Sequence, residues 1–181
     1  IVARTPEGGI HRTTYGEAPG GRRVVTSQFR GGTVTAARAG LRISLFPAGH
    51  VIGSAQVRLE YKGEVCVVSG DYKVEYDGVS TEFEPVKCHT FVSESTFGLP
   101  IYKWQPQHTI FNQIKSWIAD NHDKNKTSVL IAYSLGKAQR LIKGLAGNNS
   151  IYVHNAIANL NDALIKAGVD LPETIRITPH I

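Results

Sequence analysis

The sequence predicts an α/β fold in which a hairpin-rich first part is joined to a second part of alternating helices and strands. Short runs rich in Val, Ile, Leu and Tyr begin at residue 41, and one alternates apolar and polar residues up to the turn Lys62-Gly63. After residue 100 the apolar spacing becomes that of helices separated by short apolar strands, which is typical of parallel βα units. We place the boundary near Gly98-Leu99-Pro100, which gives two portions, residues 1–100 and residues 101–181.

In the first portion, the second apolar run predicts a half-buried strand. Val57, Leu59 and Tyr61 fall on one face of it, which we expect to be buried, and the turn that follows predicts an antiparallel hairpin. The polar segment 72–87 has no periodicity and predicts a long loop, a feature that is usually functional. Residues 1–32 show no sustained periodicity, and their arginines can be solvated or can meet phosphate. The predicted strands are 41–46, 55–61 and 64–69, and the arginines are Arg22, Arg23 and Arg30.

The second portion predicts three helices, each followed by a short strand. Pro106 opens the first helix, and Gly168 ends the last one. The apolar face of the first helix consists of Ile110, Phe111, Ile114, Trp117 and Ile118. The remaining predicted elements are a strand at 128–133, a helix at 136–145, a strand at 150–153, a helix at 156–167 and a strand at 174–177.

Composition indicates a soluble globular protein, with 181 residues of which 41% are hydrophobic and 19% charged. It excludes disordered and collagen-like classes, and no apolar stretch or signal core predicts a membrane span or secretion, so we expect a cytoplasmic protein without a membrane partner. The chain lacks an initiator Met, which suggests a piece of a longer protein.

A formal net charge of +5 permits a polyanionic partner without requiring one. Cys66 and Cys88 are expected to be buried reduced thiols.

Three apolar runs end in residues that can bind a metal, namely His50, Asp71 and Glu94. Each follows a predicted strand at a turn, where ligands and catalytic bases are commonly placed. Imidazole and carboxylate are the groups that zinc uses at catalytic sites with an open position for water. The alternative is that His50 is a turn residue, Asp71 a turn or capping residue and Glu94 a paired surface acid, and the spacing alone leaves both open.

The motifs around these residues resemble the β-CASP nucleases of the metallo-β-lactamase superfamily. The nearest branch is the bacterial ligase-associated DNA exonucleases, often described as similar to mRNA 3'-end-processing factors. The resemblance covers residues 41–178, whereas residues 1–40 match poorly. It implies an α/β fold formed by part of a metallo-β-lactamase αβ/βα sandwich followed by part of a β-CASP insertion. The motifs are Pro47-Ala48-Gly49-His50-Val51-Ile52-Gly53-Ser54-Ala55-Gln56, Ser69-Gly70-Asp71-Tyr72, Ser93-Glu94-Ser95-Thr96-Phe97-Gly98 and Tyr133-Ser134-Leu135-Gly136-Lys137-Ala138-Gln139-Arg140.

The resemblance also implies roles for the three residues. His50 matches the histidine that binds one of two zinc ions, and Asp71 matches the aspartate that bridges both. Glu94 matches the first acidic motif of the β-CASP insertion, which supports the catalytic centre by hydrogen bonding or by handling protons. Two-metal hydrolysis of a phosphodiester is the expected chemistry.

Two parts of the family pattern are missing from this sequence. The H-x-H-x-D-H motif should precede His50, yet His11 is the only earlier histidine. The last two family histidines should follow the insertion, and only His180 lies near the end. We therefore expect an incomplete zinc site, with weak metal affinity and no nuclease activity in these residues alone.

A second group of candidates lies in the later portion of the sequence. His154 stands between a strand and a helix, where it can act as a catalytic residue at the cleft or cap the βα turn. Ser134, Lys137 and Arg140 lie at a strand-to-helix turn, where they can bind a substrate phosphate or simply begin a helix.

Two aromatic residues, Tyr102 and Trp104, lie between the two portions. They can stack on bases, although we expect packing at the junction instead.

We therefore expect the parent protein to be a zinc-dependent phosphodiesterase, acting as a DNA exonuclease in repair beside a DNA ligase and a helicase. One alternative is a nuclease that processes RNA 3' ends. Another is a relative that binds nucleic acid without catalysis. The missing upstream motif favours this alternative, whereas the presence of His50 and Asp71 argues against it.

Overall fold

A computed structural model of the protein describes strands at 24–25 and 32–36 and the residues 40–147 and 150–178. Several residues considered above therefore lie outside the described part of the chain. They are His11, Arg22, Arg23, Arg30 and His180.

A six-stranded sheet forms the first part of the described structure. Neighbouring strands are antiparallel, except that the last strand runs parallel to the fifth. The predicted hairpin is confirmed, and its turn places both Lys62 (φ +49°) and Gly63 (φ +86°) in the left-handed region. The strands are β1 (Val24–Val25), β2 (Gly32–Ala36), β3 (Arg42–Pro47), β4 (Ala55–Tyr61), β5 (Glu64–Val68) and β6 (Thr90–Val92).

Two of these strands, β1 and β2, fall in a region where the sequence suggested no regular element. β2 pairs with β3 in a register that sets Gly32 opposite Leu45. A short strand that includes glycine shows little apolar alternation, so its pairing depends on the neighbouring strand more than on its own pattern.

The prediction that Val57, Leu59 and Tyr61 form the buried face of the hairpin is wrong. The first two are only partly buried and Tyr61 is exposed. The fully buried side chains Ser44, Gln56 and Val67 lie on the opposite face, which also carries Arg58 and Glu60. These two charged residues are tolerated there because the Arg58 guanidinium donates to the Glu60 carboxylate at 2.7 Å.

The second part contains three helices and a two-stranded parallel sheet, so the α/β class is confirmed. The pair β7 and β8 with α3 between them is a parallel βαβ unit of the predicted kind. Pro106 precedes α1, and Gly168 follows α3 with φ +85°, both as expected. The elements are α1 (Gln107–Asp123), α2 (Lys137–Leu145), β7 (Tyr152–Val153), α3 (Asn155–Lys166) and β8 (Ile175–Arg176).

The predicted strand at 128–133 does not form in the described structure. The segment pairs with none of the described strands, and Val129, Ile131 and Tyr133 are exposed. An apolar run is a strand only when a neighbour satisfies its backbone groups, which the run itself cannot reveal.

The core of the second part is small and joins the helices to the parallel pair. Ile142, Val153 and Ala158 form a buried cluster. Beside it, the buried side-chain amide of Gln139 donates to the side-chain oxygen Oδ1 of Asn161 at 2.9 Å, which connects α2 to α3. None of the described helices is both long enough and apolar enough to cross a bilayer.

Cys66 and Cys88 are free thiols as expected, but they are half-buried rather than buried.

The predicted loop at 72–87 contains no helix or strand, and Asp77 organises it. The buried Asp77 carboxylate accepts from the backbone N–H groups of Val79 at 3.0 Å and Ser80 at 2.7 Å, and it pairs with Lys73 at 3.0 Å. Burial acts to raise the pKa of Asp77, but the hydrogen bonds from Ser80 and Val79 and the charge of Lys73 outweigh it, so the pKa is lowered. The Gln107 side chain of α1 donates to the Asp77 carbonyl at 3.3 Å, which connects the loop to the second part.

The turn after β3 is locked to this loop by its backbone. The Lys73 N–H donates to the Ala48 carbonyl at 2.9 Å, and the Ala48 N–H donates to the Ser54 carbonyl at 3.0 Å. Gly49 has φ +72°, and a Cβ there would overlap the carbonyl oxygen of Lys73. Below the turn, the buried Gln56 amide donates to the carbonyls of Pro47 at 3.0 Å and Glu84 at 2.8 Å. The chain therefore holds the residues next to Gly49 close to the start of the loop.

Replacing Gly49 by Ala should destabilise the protein by about 2–4 kcal/mol, because the new Cβ adds a clash to the cost of a left-handed conformation. Gly53→Ala is the matched control, since Gly53 has φ +82° but nothing within 4 Å of a Cβ, and it should cost about 1 kcal/mol. Urea unfolding followed by circular dichroism measures both. Equal losses in the two variants would contradict the close approach of the loop to Gly49.

The Asp77 carboxylate should contribute stability that depends on pH. Since its pKa is lower in the folded protein than in the unfolded chain, this contribution is present above the unfolded value of about 3.9 and is lost as pH falls through the folded value. Asp77→Asn should lower the free energy of unfolding by about 1–3 kcal/mol at pH 7, and the difference from the wild type should shrink on acidification to pH 3. Urea unfolding at several pH values tests this, and a difference that is independent of pH would contradict it.

Candidate metal and nucleic-acid site

The candidate ligands lie at one edge of the six-stranded sheet. β3 and β5 are both antiparallel to β4, and β6 is parallel to β5, so β3, β5 and β6 run in the same direction. Their carboxyl ends meet at the same edge. His50, Asp71 and Glu94 each follow one of these ends within three residues, which explains how residues far apart in the sequence approach each other.

His50 and Asp71 are in contact. The imidazole Nε2 lies 3.4 Å from a carboxylate oxygen of Asp71, and both side chains are well exposed. The backbone N–H groups of His50 and Val51 donate to the Ser54 hydroxyl at 3.1 and 3.2 Å, which fixes the turn that presents the imidazole. Ser54 was not predicted to have a role, although serine is a residue whose side chain commonly forms hydrogen bonds to the backbone in turns.

The distance between the two ligand atoms suits a zinc ion. In a tetrahedral site with bonds of about 2.1 Å, two ligand atoms are about 3.4 Å apart. The donor set of imidazole nitrogen and carboxylate oxygen is also one that zinc uses at catalytic sites. As an ion pair in water, the same contact between His50 and Asp71 would add little to stability.

The described residues bring together only these two candidate ligands. In the ranges 40–147 and 150–178, no group of three or more His, Cys, Asp or Glu side chains is arranged to hold a metal ion. The donor chemistry of His50 and Asp71 fits zinc, but the number of ligands is too small for a closed site.

Glu94 is the third candidate residue at this edge of the sheet. One of its carboxylate oxygens accepts a hydrogen bond from the Thr96 N–H at 2.6 Å. The hydrogen bonds from Thr96 lower the pKa of Glu94; desolvation opposes them, and the His50 imidazole makes a smaller contribution that lowers the pKa. Glu94 follows the end of β6 by two residues, at the edge of the sheet where His50 and Asp71 also lie.

The N-terminus of α2 packs against the His50 turn. Gly136, which precedes the helix with φ +86°, touches the Val51 side chain so closely that a Cβ at Gly136 would overlap it. The Lys137 ammonium lies 5.5 Å from the centre of the Tyr133 ring. The start of α2 therefore lies against the turn that carries His50, and the predicted phosphate-binding residues Ser134, Lys137 and Arg140 lie within four residues of Gly136.

The backbone at this helix start is less available to phosphate than the sequence suggested. The Gly136 N–H donates to the Gln139 side chain at 2.6 Å, the Lys137 N–H to the Leu135 carbonyl at 3.2 Å, and the Ala138 N–H to the Tyr133 carbonyl at 3.1 Å. Because these donors are used internally, an anion here would depend on the side chains of Lys137 and Arg140. The Ser134 carbonyl is also occupied, since it accepts from the Gln139 amide at 2.9 Å.

His154 is the N-cap of α3. Its Nδ1 accepts a hydrogen bond from the Ala156 N–H at 3.2 Å, and the side chain is exposed. This is the turn-capping alternative of the sequence analysis, and a catalytic role for His154 stays a prediction.

Comparison with known proteins gave matches of moderate identity. No protein-family model matches the chain. A protein named "Probable DNA ligase" from Opitutus terrae is 29% identical over 133 residues, which is 72% of this chain and 13% of that protein. "Cleavage and polyadenylation specificity factor subunit 3" from Dictyostelium discoideum is 28% identical over 105 residues, or 57% of this chain and 13% of that protein. "Endoribonuclease YSH1" from Saccharomyces cerevisiae is 29% identical over 105 residues, again 57% of this chain and 13% of that protein.

The chain thus spans about 13% of the length of each of these relatives. The names of the relatives from Dictyostelium and Saccharomyces agree with the family that the motifs of this sequence resemble. On this evidence the chain is related to the β-CASP nucleases of the metallo-β-lactamase superfamily.

Proposed function

We propose that this chain is part of a zinc-dependent phosphodiesterase and contributes a metal half-site together with a phosphate-binding helix start. The observation that carries the proposal is the 3.4 Å approach of His50 Nε2 to Asp71 beside Gly136, the residue that precedes α2. The six-stranded sheet would be part of a metallo-β-lactamase sandwich, and residues 101–181 part of a β-CASP insertion.

Each residue has a role that follows from its chemistry. His50 and Asp71 would hold zinc, which when bound supplies a hydroxide near neutral pH and stabilises charge on phosphoryl oxygens. Glu94, whose carboxylate accepts from the Thr96 N–H, can orient water or accept a proton. Lys137 and Arg140 can neutralise the phosphates on either side of the scissile bond. The formal net charge of +5 favours this polyanionic substrate.

The proposed zinc site needs further ligands. Two protein ligands fall short of the three or more that hold catalytic zinc, so the remaining ligands would come from residues outside the described ranges or from the rest of a longer protein. By itself this chain should bind zinc weakly and should not cleave nucleic acid.

DNA is the substrate that we favour. The match to the protein named as a DNA ligase covers 72% of this chain, compared with 57% for the two RNA-processing relatives. That match favours a DNA context, in which we propose an exonuclease that acts in repair beside a ligase and a helicase. The second candidate, cleavage of RNA at 3' ends, is favoured by the names of the relatives from Dictyostelium and Saccharomyces.

In a longer protein that contains this sequence, Asp71→Asn should reduce phosphodiester cleavage at least about a thousandfold, because the variant loses an anionic metal ligand. Nucleic-acid affinity should change little, since phosphate contacts supply most of the binding. Asp120→Asn, which changes an exposed carboxylate on α1, is the control and should leave cleavage intact. Retained cleavage in the Asp71→Asn protein would contradict the proposed function.

Binding by the helix start can be tested with the chain itself. Lys137→Ala should weaken binding to a DNA oligonucleotide and should reduce the slope of log affinity against log salt by about one, as expected for the loss of one phosphate contact. Lys124→Ala, at the far end of α1, is the matched control and should change neither quantity. Fluorescence anisotropy titrations at several salt concentrations measure both, and identical salt slopes for the wild type and Lys137→Ala would contradict the contact.

A further inference from the structure

Three aromatic side chains cluster in the segment that follows Glu94. The Phe97 ring centre lies 5.1 Å from that of Tyr102 and 5.2 Å from that of Trp104. All three are exposed to solvent, and Trp104 the most, with 71% of its surface accessible. We expected Tyr102 and Trp104 to pack at the junction between the two portions. In the described structure they pack on Phe97 and leave much of their surface open.

The cluster has a defined geometry. The Tyr102 and Trp104 rings are nearly parallel, with 14° between their planes, and Phe97 stands at 87° to both. Edge-to-face packing of this kind is favourable and fixes the common orientation of the two outer rings. We call Tyr102 and Trp104, supported by Phe97, the aromatic platform.

The backbone beneath the platform is held by two tight turns. The Gly98 N–H donates to the Ser95 carbonyl at 3.1 Å, and the Tyr102 N–H donates to the Leu99 carbonyl at 3.2 Å. A Cβ at Gly98 would overlap the Ser95 hydroxyl, which would have to shift to make room for it. The rings are therefore presented on an ordered support.

The platform lies close to the candidate catalytic edge. Phe97 is three residues beyond Glu94, so their Cα atoms are at most about 11 Å apart. Lys103 stands between the two outer aromatic residues and is exposed, which places a positive charge at the platform. Parallel aromatic faces beside a cation suit a ligand that combines flat π-systems with negative charge.

We propose that the aromatic platform stacks on the bases of single-stranded nucleic acid whose backbone lies along the candidate site. The proposal rests on the proposed function for the class of ligand, and it adds where the bases bind and which form of nucleic acid is preferred. Aromatic faces stack on any base, but the bases of a duplex already stack on one another and are not available. Lys103 and the basic character of the chain favour a polyanion over an apolar protein segment as the occupant.

Binding of oligothymidine to the chain in the presence of EDTA tests the proposal without involving catalysis. Trp104→Ala should weaken binding about tenfold, whereas Trp104→Phe, which keeps an aromatic face, should recover most of the affinity. Trp117→Phe, on α1, is the control and should bind as tightly as the wild type. Because the chain has two tryptophans, this control variant also isolates the fluorescence of Trp104, which should be quenched by the oligonucleotide.

A strand of equal length without bases separates stacking from charge. The wild type should bind this abasic strand about tenfold more weakly than oligothymidine, and Trp104→Ala should bind both about equally. Equal affinities of the wild type and Trp104→Ala for oligothymidine would overturn the platform. So would unchanged Trp104 fluorescence at saturation, or burial of Trp104 against another part of a longer protein. Failure of the platform leaves metal-dependent cleavage untouched, and cleavage that survives Asp71→Asn leaves the platform untouched, so the two proposals are distinguishable.

Discussion

The candidate site depends on one backbone hydrogen bond, from the Lys73 N–H to the Ala48 carbonyl. It joins the turn after β3 to the loop after β5 and so brings two segments about twenty residues apart into contact. Gly49 permits the approach because it has no Cβ to meet the Lys73 carbonyl, and Asp77 holds the loop from the other side through Lys73. The distance between His50 and Asp71 follows from this arrangement.

The side chains of the candidate site contribute little to the stability of the fold. Its three acidic and basic side chains are exposed, and an exposed pair such as His50 and Asp71 contributes little to folding. The stabilising bonds lie one layer below, where Gln56 and Asp77 satisfy the backbone groups of the surrounding turns. The side-chain atoms proposed to bind a metal are therefore left exposed, while the turns that carry them are held by the buried hydrogen bonds. The same layout continues beyond Glu94, where tight turns hold aromatic rings that remain open to solvent.

Much of this structure follows from local sequence patterns. The hairpin turn at Lys62-Gly63 and the three helices could be predicted because their signals lie within the elements themselves. The predictions that were wrong concern features that depend on residues distant in the sequence. The strand expected at 128–133 finds no pairing partner among the described strands, and β2 forms because β3 lies beside it. The buried face of β4 carries Gln56 because the turn and the loop supply hydrogen-bond acceptors for its amide, which no alternation of residues indicates. His50, Asp71 and Glu94 could be identified because each ends an apolar run, but their meeting depends on the direction of three strands.

Anomalous diffraction at the zinc edge, from crystals of a longer protein that contains this sequence, tests the central claim most directly. We predict a zinc peak about 2.0–2.2 Å from both His50 Nε2 and a carboxylate oxygen of Asp71, with Glu94 outside bonding distance. A zinc ion bound elsewhere, with His50 and Asp71 still paired only to each other, would contradict the account.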